Sequence, residues 1–377
     1  MRVLFVNENI GGHRSVHNNL RTSLVAHPDV TATFLDVPRA RGWRRVAGTS
    51  MPGLGRLDLD LQALRAQLAL SYWVRGQVRR RMHDFDVLHV YTGNAGLRSA
   101  DLLAAMPSVV STDATNVTNG YRLPNRHPTR FTPRAVRMAQ RWETPVYQAA
   151  SLVLANTQWI ARSLRDDYGV PDERLRCFPF GIVAPHFEDG PAPGVTSPAG
   201  LPQVVFVGHQ LERKGALRLH ALHQQHLADV CELVIVTSED VPPGRNVRAV
   251  HDVTVGSGRL WEVLREASVF CFPSPIDQAP NAVIEAMAAG LPVVGLEVAA
   301  MPDTVTAECG FVVDKDDDEA LVARLRALVD NPALRAELGA GARRRFVSDY
   351  DAAISTARLV DTLREARDVF TVAQEPV

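Results

Sequence analysis

Two carboxylates eight positions apart, Asp277 and Glu285, hold the densest chemistry in this 377-residue chain. The apolar run Val269–Phe272 leads into Pro273-Ser-Pro-Ile-Asp277-Gln-Ala-Pro-Asn281, and Ala282–Ala289 follows with a helical pattern closed by Gly290. Asp277 thus falls in a loop and Glu285 one turn into a helix. Each carboxylate can accept two O–H donors at once, which suits the vicinal diols of a sugar. Asn281 reads as the N-cap. The N–H groups of that first turn, with the helix dipole, would hold an anion or sugar hydroxyls. On spacing alone an ordinary role stays open for both acids, Glu285 as a dipole partner and Asp277 as a turn residue.

A lysine marks the next segment. Of the 41 basic residues only Lys214 and Lys315 are lysines. A coding bias toward arginine accounts for the scarcity, and it draws attention to any lysine that survives. The strand-like Val204–Val207 ends at Gly208, the loop His209-Gln-Leu-Glu-Arg213-Lys214-Gly215 follows, and a helix begins near Ala216. A cation at a helix N-terminus is placed to meet a phosphate. Arg213 beside it could do the same, and a solvated loop lysine is the everyday alternative. Lys315 lies among Asp314 and Asp316–Asp318, which reads as a solvated helix start.

Three further segments end strands in polar residues. Asn7-Glu-Asn-Ile-Gly11-Gly12-His13 is a glycine-rich loop that does not match the GxGxxG dinucleotide fingerprint. His89 and Tyr91 fall two apart in Phe85–Asn94, on one face of a strand, and Asp113 closes the run Ser108–Ser111. A tight turn, a helix-start residue and satisfied core positions are the ordinary readings of these. No divalent-metal site is expected. The four cysteines (Cys177, Cys231, Cys271, Cys309) show no paired spacing and read mostly as core, in keeping with a reducing cytoplasm.

The elements that must position these groups are short apolar runs alternating with helical patterns. The runs are Val3–Val6, Thr31–Val37, Val87–Val90, Ser108–Ser111, Leu152–Ala155 and Arg176–Phe178, then Val204–Val207, Glu232–Val236, Val269–Phe272, Pro292–Gly295 and Gly310–Val313. Runs apolar on both faces, separated by helices, predict α/β parallel sheets covered on both sides. Asp189–Gly200 is the densest Pro/Gly stretch and reads as a linker. The expected organisation is a doubly wound Rossmann-like domain over 1–187, a linker over 188–200, a second such domain over 201–355, and a C-terminal helix and tail over 356–377 that could pack on either. Two such domains would face each other across a cleft at the carboxyl ends of their sheets. Forty-one basic residues against 42 acidic ones give no reason to expect nucleic acid as a partner. No run of eighteen apolar residues is present, and the N-terminus reads as a first strand rather than a signal peptide.

Together these segments resemble the family-4 (group 1) retaining glycosyltransferases of GT-B fold. Ser268–Ser274 through Glu285-Ala-Met-Ala-Ala-Gly290-Leu-Pro-Val-Val294 resembles that family's donor-site block. Phe206-Val-Gly208 with Lys214-Gly215 resembles its strand and diphosphate loop, and Ala150–Thr157 through Phe180-Gly181 the close of its N-terminal domain. The resemblance implies a nucleoside-diphosphate sugar as co-substrate, with no other cofactor. It implies Glu285 on the ribose diol, Asp277 near the donor hexose in place of a Glu, and Lys214 on the diphosphate. His209 stands where the family usually has an Arg, Tyr91 where it often has a second His after His89, and Asp113 where it commonly has a His. Gly11 and Gly12 match its glycine loop. The catalytic set so implied is Lys214, Asp277, Glu285 and Tyr91. Gly11, Gly12, Gly208, His209, Arg213 and Asn281 would touch the donor, and His13, His89 and Asp113 would lie toward the acceptor. Transfer is expected to be front-face, the leaving phosphate taking the acceptor proton, so no side-chain nucleophile is demanded.

The acceptor, a hydroxyl on a glycan, a lipid-linked sugar or a small molecule, would sit on the N-terminal domain. Arg122, Arg126, Arg130, Arg134, Arg137 and Arg141 fall between Asp113 and Glu143 with no acid among them, and Pro124, Pro128 and Pro133 predict a loop over most of that span. Such a loop suits an acidic acceptor or a membrane face. Leu64–Arg81 reads as an amphipathic helix with Tyr72 and Trp73, an ordinary surface helix or an interfacial one. Peripheral contact with the inner membrane face fits a cytoplasmic location. A GT-B epimerase, a phosphorylase and a non-catalytic sugar-nucleotide binder are the rival functions. Lys315 suits a phosphorylase's pyridoxal-phosphate lysine poorly.

Overall fold

The structure, a computed structural model, describes residues 1–10, 12–122, 128–185, 200–253, 256–278 and 280–374. Gly11, Pro124, Arg126 and positions 188–199 of the expected linker lie outside the described residues. The chain forms two compact units, Met1–Gly181 with Ala352–Val377, and Ile182–Asp351.

The first unit is built on β1 (Arg2–Asn7), β2 (Thr31–Asp36), β3 (Val87–Tyr91), β4 (Ser108–Thr112), β5 (Leu152–Ala155) and β6 (Leu175–Cys177). All are parallel, in the order β2-β1-β3-β4-β5-β6. Alternate residues of β1 divide between two cores. Leu4 and Val6 pack with the helices Gln62–Arg81, Thr132–Ala149 and Gln158–Asp166. Val3 and Phe5 pack with the helices His13–Ser23 and Ala352–Gln374. That is the period-two burial of a strand covered on both faces. The C-terminal helix thus belongs to the first unit. Its Leu359, Val360 and Leu363 are 0 % exposed, and burying each contributes about 1.5–3 kcal/mol. Arg176 pairs with Glu365, and Gly181 N donates to Ser355 Oγ at 2.7 Å.

The second unit contains β7 (Gln203–Val207), β8 (Glu232–Val236), β9 (Val247–Val250), β10 (Val269–Phe272), β11 (Val293–Leu296) and β12 (Gly310–Val313). These are also all parallel, in the order β12-β11-β10-β7-β8-β9. The doubly wound α/β class expected from the sequence is therefore present in both units. Every apolar run read as a strand is a strand. β9 is the addition: it is an edge strand, half-buried over most of its length, with Arg248 in its middle.

One expectation is corrected here. Among the described residues the arginine segment is not mainly loop. Arg134, Arg137 and Arg141 lie on the helix Thr132–Ala149, with Pro133 in its first turn, where a missing N–H loses no helical hydrogen bond.

Candidate functional site

In the second unit β7 is followed by β8 on one side and, after β9, by β10 on the other. The carboxyl ends of β7 and β10 form a topological switch point, the place where open α/β sheets take ligands. Lys214 arrives there from the loop after β7, and Asp277 from the loop after β10. Lys214 Nζ lies 3.8 Å from Asp277 Oδ2 and 5.5 Å from the centre of the Phe272 ring. Two glycines make that approach possible. Gly215 has φ +75°, and a Cβ there would fall 2.1 Å from the Pro273 carbonyl oxygen. A Cβ on Gly208 would press on Phe206 at 3.0 Å and on the Lys214 stem at 3.1 Å. Gly215 is also the N-cap of the helix Ala216–His226, which no side chain caps.

Ser274 Oγ donates to Asp277 Oδ2 at 2.6 Å, which fixes the carboxylate beside the lysine. Glu285 is 7 % exposed, and its carboxylate has no hydrogen-bond or ion-pair partner among the described residues. Burial pushes it up to about 7. Asn281 is not the N-cap. The helix Asn281–Ala288 starts at that residue, and Pro280 holds the cap position with φ −75°. Asn281 is thus the first residue of the turn that faces the loop.

His209 is exposed, and its Nδ1 lies 3.0 Å from Ser238 Oγ. Arg213 donates through Nε to Gln210 Oε1 on its own loop. The Glu239 carboxylate accepts the backbone N–H groups of Gln210 and Leu211. The loop amides beside Lys214 therefore already hold an anionic group.

In the first unit the switch point lies between β1 and β3. Gly12 is the N-cap of the helix His13–Ser23, with the ordinary helical φ of −64°. His13 Nε2 lies 3.0 Å from Asp113 Oδ2. Its Nδ1 approaches Glu8 Oε1 to 3.0 Å, an ion-pair distance without hydrogen-bond alignment. Burial pulls His13 down, but the charge and hydrogen bonds of Asp113 and Glu8 outweigh it, and it is pushed up to about 10. Asp113 is held below the usual carboxylate range because His13 overcomes the opposite pull of burial. The Tyr91 hydroxyl accepts from Asn156 Nδ2 at 3.4 Å, and burial together with Asp113 raises it well above the ordinary phenol value. The His13 and Tyr91 ring centres are 4.9 Å apart.

His89 does not join them. It is 0 % exposed, tilted against Phe5 and edge-on to Phe180, with Nε2 2.8 Å from Ser111 Oγ. Burial holds it down at about 3, so it is a neutral core histidine. Its placement toward the acceptor is corrected. Tyr91 shares that strand face, but its position at the strand end lets the hydroxyl reach Asp113.

Two carboxylates escaped the sequence reading. Glu8 is buried between His13 and Thr92, whose Oγ1 donates to it at 3.0 Å. Its signal is an acid directly after the first strand, in the same loop as Gly-Gly-His. Glu143 is buried and accepts from Tyr147 at 2.8 Å, Tyr168 at 2.5 Å and Asn116 N at 3.0 Å. Tyr147 one turn further along is its only sequence clue. No group of three or more His, Cys, Asp or Glu suited to a metal ion occurs among the described residues. No helix among them is long and apolar enough to cross a membrane.

Residues 201–331 match the family model described as glycosyl transferases group 1, and residues 31–184 match that of glycosyltransferase family 4. A D-inositol 3-phosphate glycosyltransferase of Acidothermus cellulolyticus is 32 % identical over 225 residues, which cover 53 % of this chain and 50 % of the relative. The chain spans about half the length of the curated relatives it matches. Among solved structures, sucrose-phosphate synthase from Thermosynechococcus elongatus superposes with a TM-score of 0.71 at 17 % identity, over 97 % of this chain and 98 % of that one. HepE of Anabaena in complex with UDP-glucose superposes with a TM-score of 0.63 at 16 % identity, over 97 % and 100 %. At such identities the superpositions speak to the fold.

Proposed function

The chain belongs to the family 4, group 1 glycosyltransferases and has the GT-B fold, and on that premise we propose that it transfers a hexosyl unit from a nucleoside-diphosphate sugar to a hydroxyl acceptor. Transfer retains the anomeric configuration and uses no metal ion. The second unit binds the donor and the first unit the acceptor. One observation carries this: Lys214 and Asp277 meet at the β7/β10 switch point, with the unpartnered Glu285 in the helix that follows.

Each group then has a task. A buried carboxylate without a partner is paired only when a ligand brings O–H donors, and a ribose diol brings two. Glu285 fills that role. Its raised pKa falls back when the diol hydroxyls donate to it, because hydrogen bonds to the charged form favour it. Asp277, fixed by Ser274, faces the hexose. Lys214 and the N–H groups at the start of the helix Ala216–His226 meet the diphosphate. As the anomeric C–O bond to the phosphate breaks, negative charge builds on the leaving diphosphate, and a positioned ammonium stabilises it. The acceptor oxygen bonds to the anomeric carbon, and its proton passes to the leaving phosphate. Arg213 and His209 lie on the same loop and adjust diphosphate affinity. The UDP-glucose named with HepE and the inositol phosphate named for the Acidothermus relative support this class of donor and a hydroxyl acceptor. The four free cysteines suit a reducing cytoplasm.

The test is a thermal-shift screen of the full chain against UDP-, GDP- and ADP-hexoses, because a ligand that binds the folded state raises its melting temperature. One nucleotide series should stabilise the protein and be slowly hydrolysed without acceptor. Absence of a shift with every donor would overturn the proposal.

A further inference from the structure

The first unit carries an excursion whose apolar side chains stay in water. Between Asp36 and Asp58 the sequence has five arginines (Arg39, Arg41, Arg44, Arg45, Arg56) and no acid. In the same stretch Trp43 is 55 % exposed, Val46 71 %, Met51 45 %, and Leu54 and Leu57 46 % each. Leu59 and Tyr72 continue the surface, exposed by 37 % and 58 %. Isolated exposed apolar residues are ordinary; five on one small excursion, with two more adjoining it, are not.

The excursion is held in place by polar groups. Arg65, from the helix Gln62–Arg81, donates to the carbonyls of Ala47 at 3.0 Å, Thr49 at 2.9 Å and Asp60 at 2.7 Å. Gln62 donates to the Gly48 carbonyl at 2.7 Å, and the buried Asp60 accepts the Met51 N–H at 2.9 Å. Thr129 donates to the Leu57 carbonyl at 2.9 Å. Arg44 turns inward over Trp73, which leaves Trp43 facing out. Trp43 meets Tyr72 edge-on at 5.8 Å, and Arg98 lies 5.7 Å from both the Tyr72 and the Trp142 ring. The surface so continues onto the helix that presents the exposed Arg134, Arg137 and Arg141.

Aliphatic and indole side chains among unopposed arginines fit one surroundings well: hydrocarbon just beneath a layer of negative headgroups. A polyanion such as nucleic acid would answer the arginines but leave Val46, Met51, Leu54 and Leu57 in water. We propose that this face docks the protein onto an anionic lipid bilayer, with Trp43, Leu54 and Leu57 entering the interface and Arg39, Arg41, Arg45 and Arg56 meeting the headgroups. The proposal stands apart from the donor site and does not depend on it.

Co-sedimentation of the full chain with vesicles tests it. Phosphatidylcholine vesicles containing 30 % phosphatidylglycerol should bind the protein, pure phosphatidylcholine should bind it at least tenfold more weakly, and 0.5 M salt should release most of it. Each arginine changed to Gln should weaken binding about fivefold. The variant Trp43→Ser/Leu54→Ser/Leu57→Ser should lose binding at unchanged melting temperature, since all three side chains are exposed. Absence of binding to anionic vesicles would overturn the proposal. Binding that survives the triple change would overturn it as well, assigning the face to a polyanion, and so would a shift to dimer that the triple change abolishes without vesicles.

Discussion

The two switch points are built in opposite ways. At β1/β3 most of the polar groups pair with one another: His13 is hydrogen-bonded to Asp113 and at ion-pair distance from Glu8, and Glu8 accepts from Thr92. At β7/β10 the pairing is incomplete: Lys214 and Asp277 form a long ion pair at 3.8 Å, and Glu285 is buried with no partner among the described residues. A satisfied network rigidifies and orients; an unsatisfied one stores affinity for whatever completes it. The contrast supports the proposal that the second unit is completed by a ligand, while the first supplies a pre-set electrostatic scaffold.

The sharpest way to break that contrast is to remove the cation. Lys214→Ala should lower transfer by roughly 10²–10³-fold, the loss usual for one preorganised donor on a developing charge, with far-UV circular dichroism and melting temperature nearly unchanged. Glu285→Gln should separate binding from stability. Its folded-state value near 7 lies above the ordinary 4.5, so across that window the folded chain keeps a proton the unfolded chain has lost. Stability therefore falls as pH rises from 4.5 to 7 and is flat above it. The ionised form costs about 3 kcal/mol. Denaturant unfolding at pH 8 should find Glu285→Gln more stable than the parent, with the advantage gone near pH 4.5, while donor binding is lost.

His13→Ala should behave in reverse. A histidine raised to about 10 contributes stability fully present below its unfolded value of 6.5 and lost as pH rises through 10. Removing it strands Glu8 and Asp113, at about 3 kcal/mol near pH 6 and progressively less toward pH 10, read by urea midpoints across pH. The smallest effect belongs to His209→Arg. It restores a permanent charge on an exposed loop and should tighten the donor no more than about fivefold, with stability within about 0.5 kcal/mol, measured by calorimetric titration.

Much of the fold was legible because strands buried on both faces read as unbroken apolar runs. β9 was not, because an edge strand with Arg248 at its centre carries no such run. The second-unit site was legible for a related reason. Lys214, Gly215 and Asp277 lie in two short segments, each adjoining a strand end, so topology alone brings them together, and Glu285 follows in the next helix. The first-unit network was harder, because it draws on the ends of β1, β3, β4 and β5 at once. Glu8 directly follows the first strand, and its meaning depends on His13 five residues later and Asp113 a hundred beyond that. His89 looked like a site residue for its type, but lying two positions before the strand end puts it in the core. Asn281 looked like a cap for its type, but Pro280 takes that position.

The most direct test is calorimetric titration of a nucleoside diphosphate, matched to the favoured sugar donor, into the parent chain, Lys214→Ala and Glu285→Gln. If the second unit is a site completed by its ligand, the parent binds and both variants lose at least tenfold in affinity, the lysine through the diphosphate and the glutamate through the ribose. Equal affinity in all three proteins would contradict it.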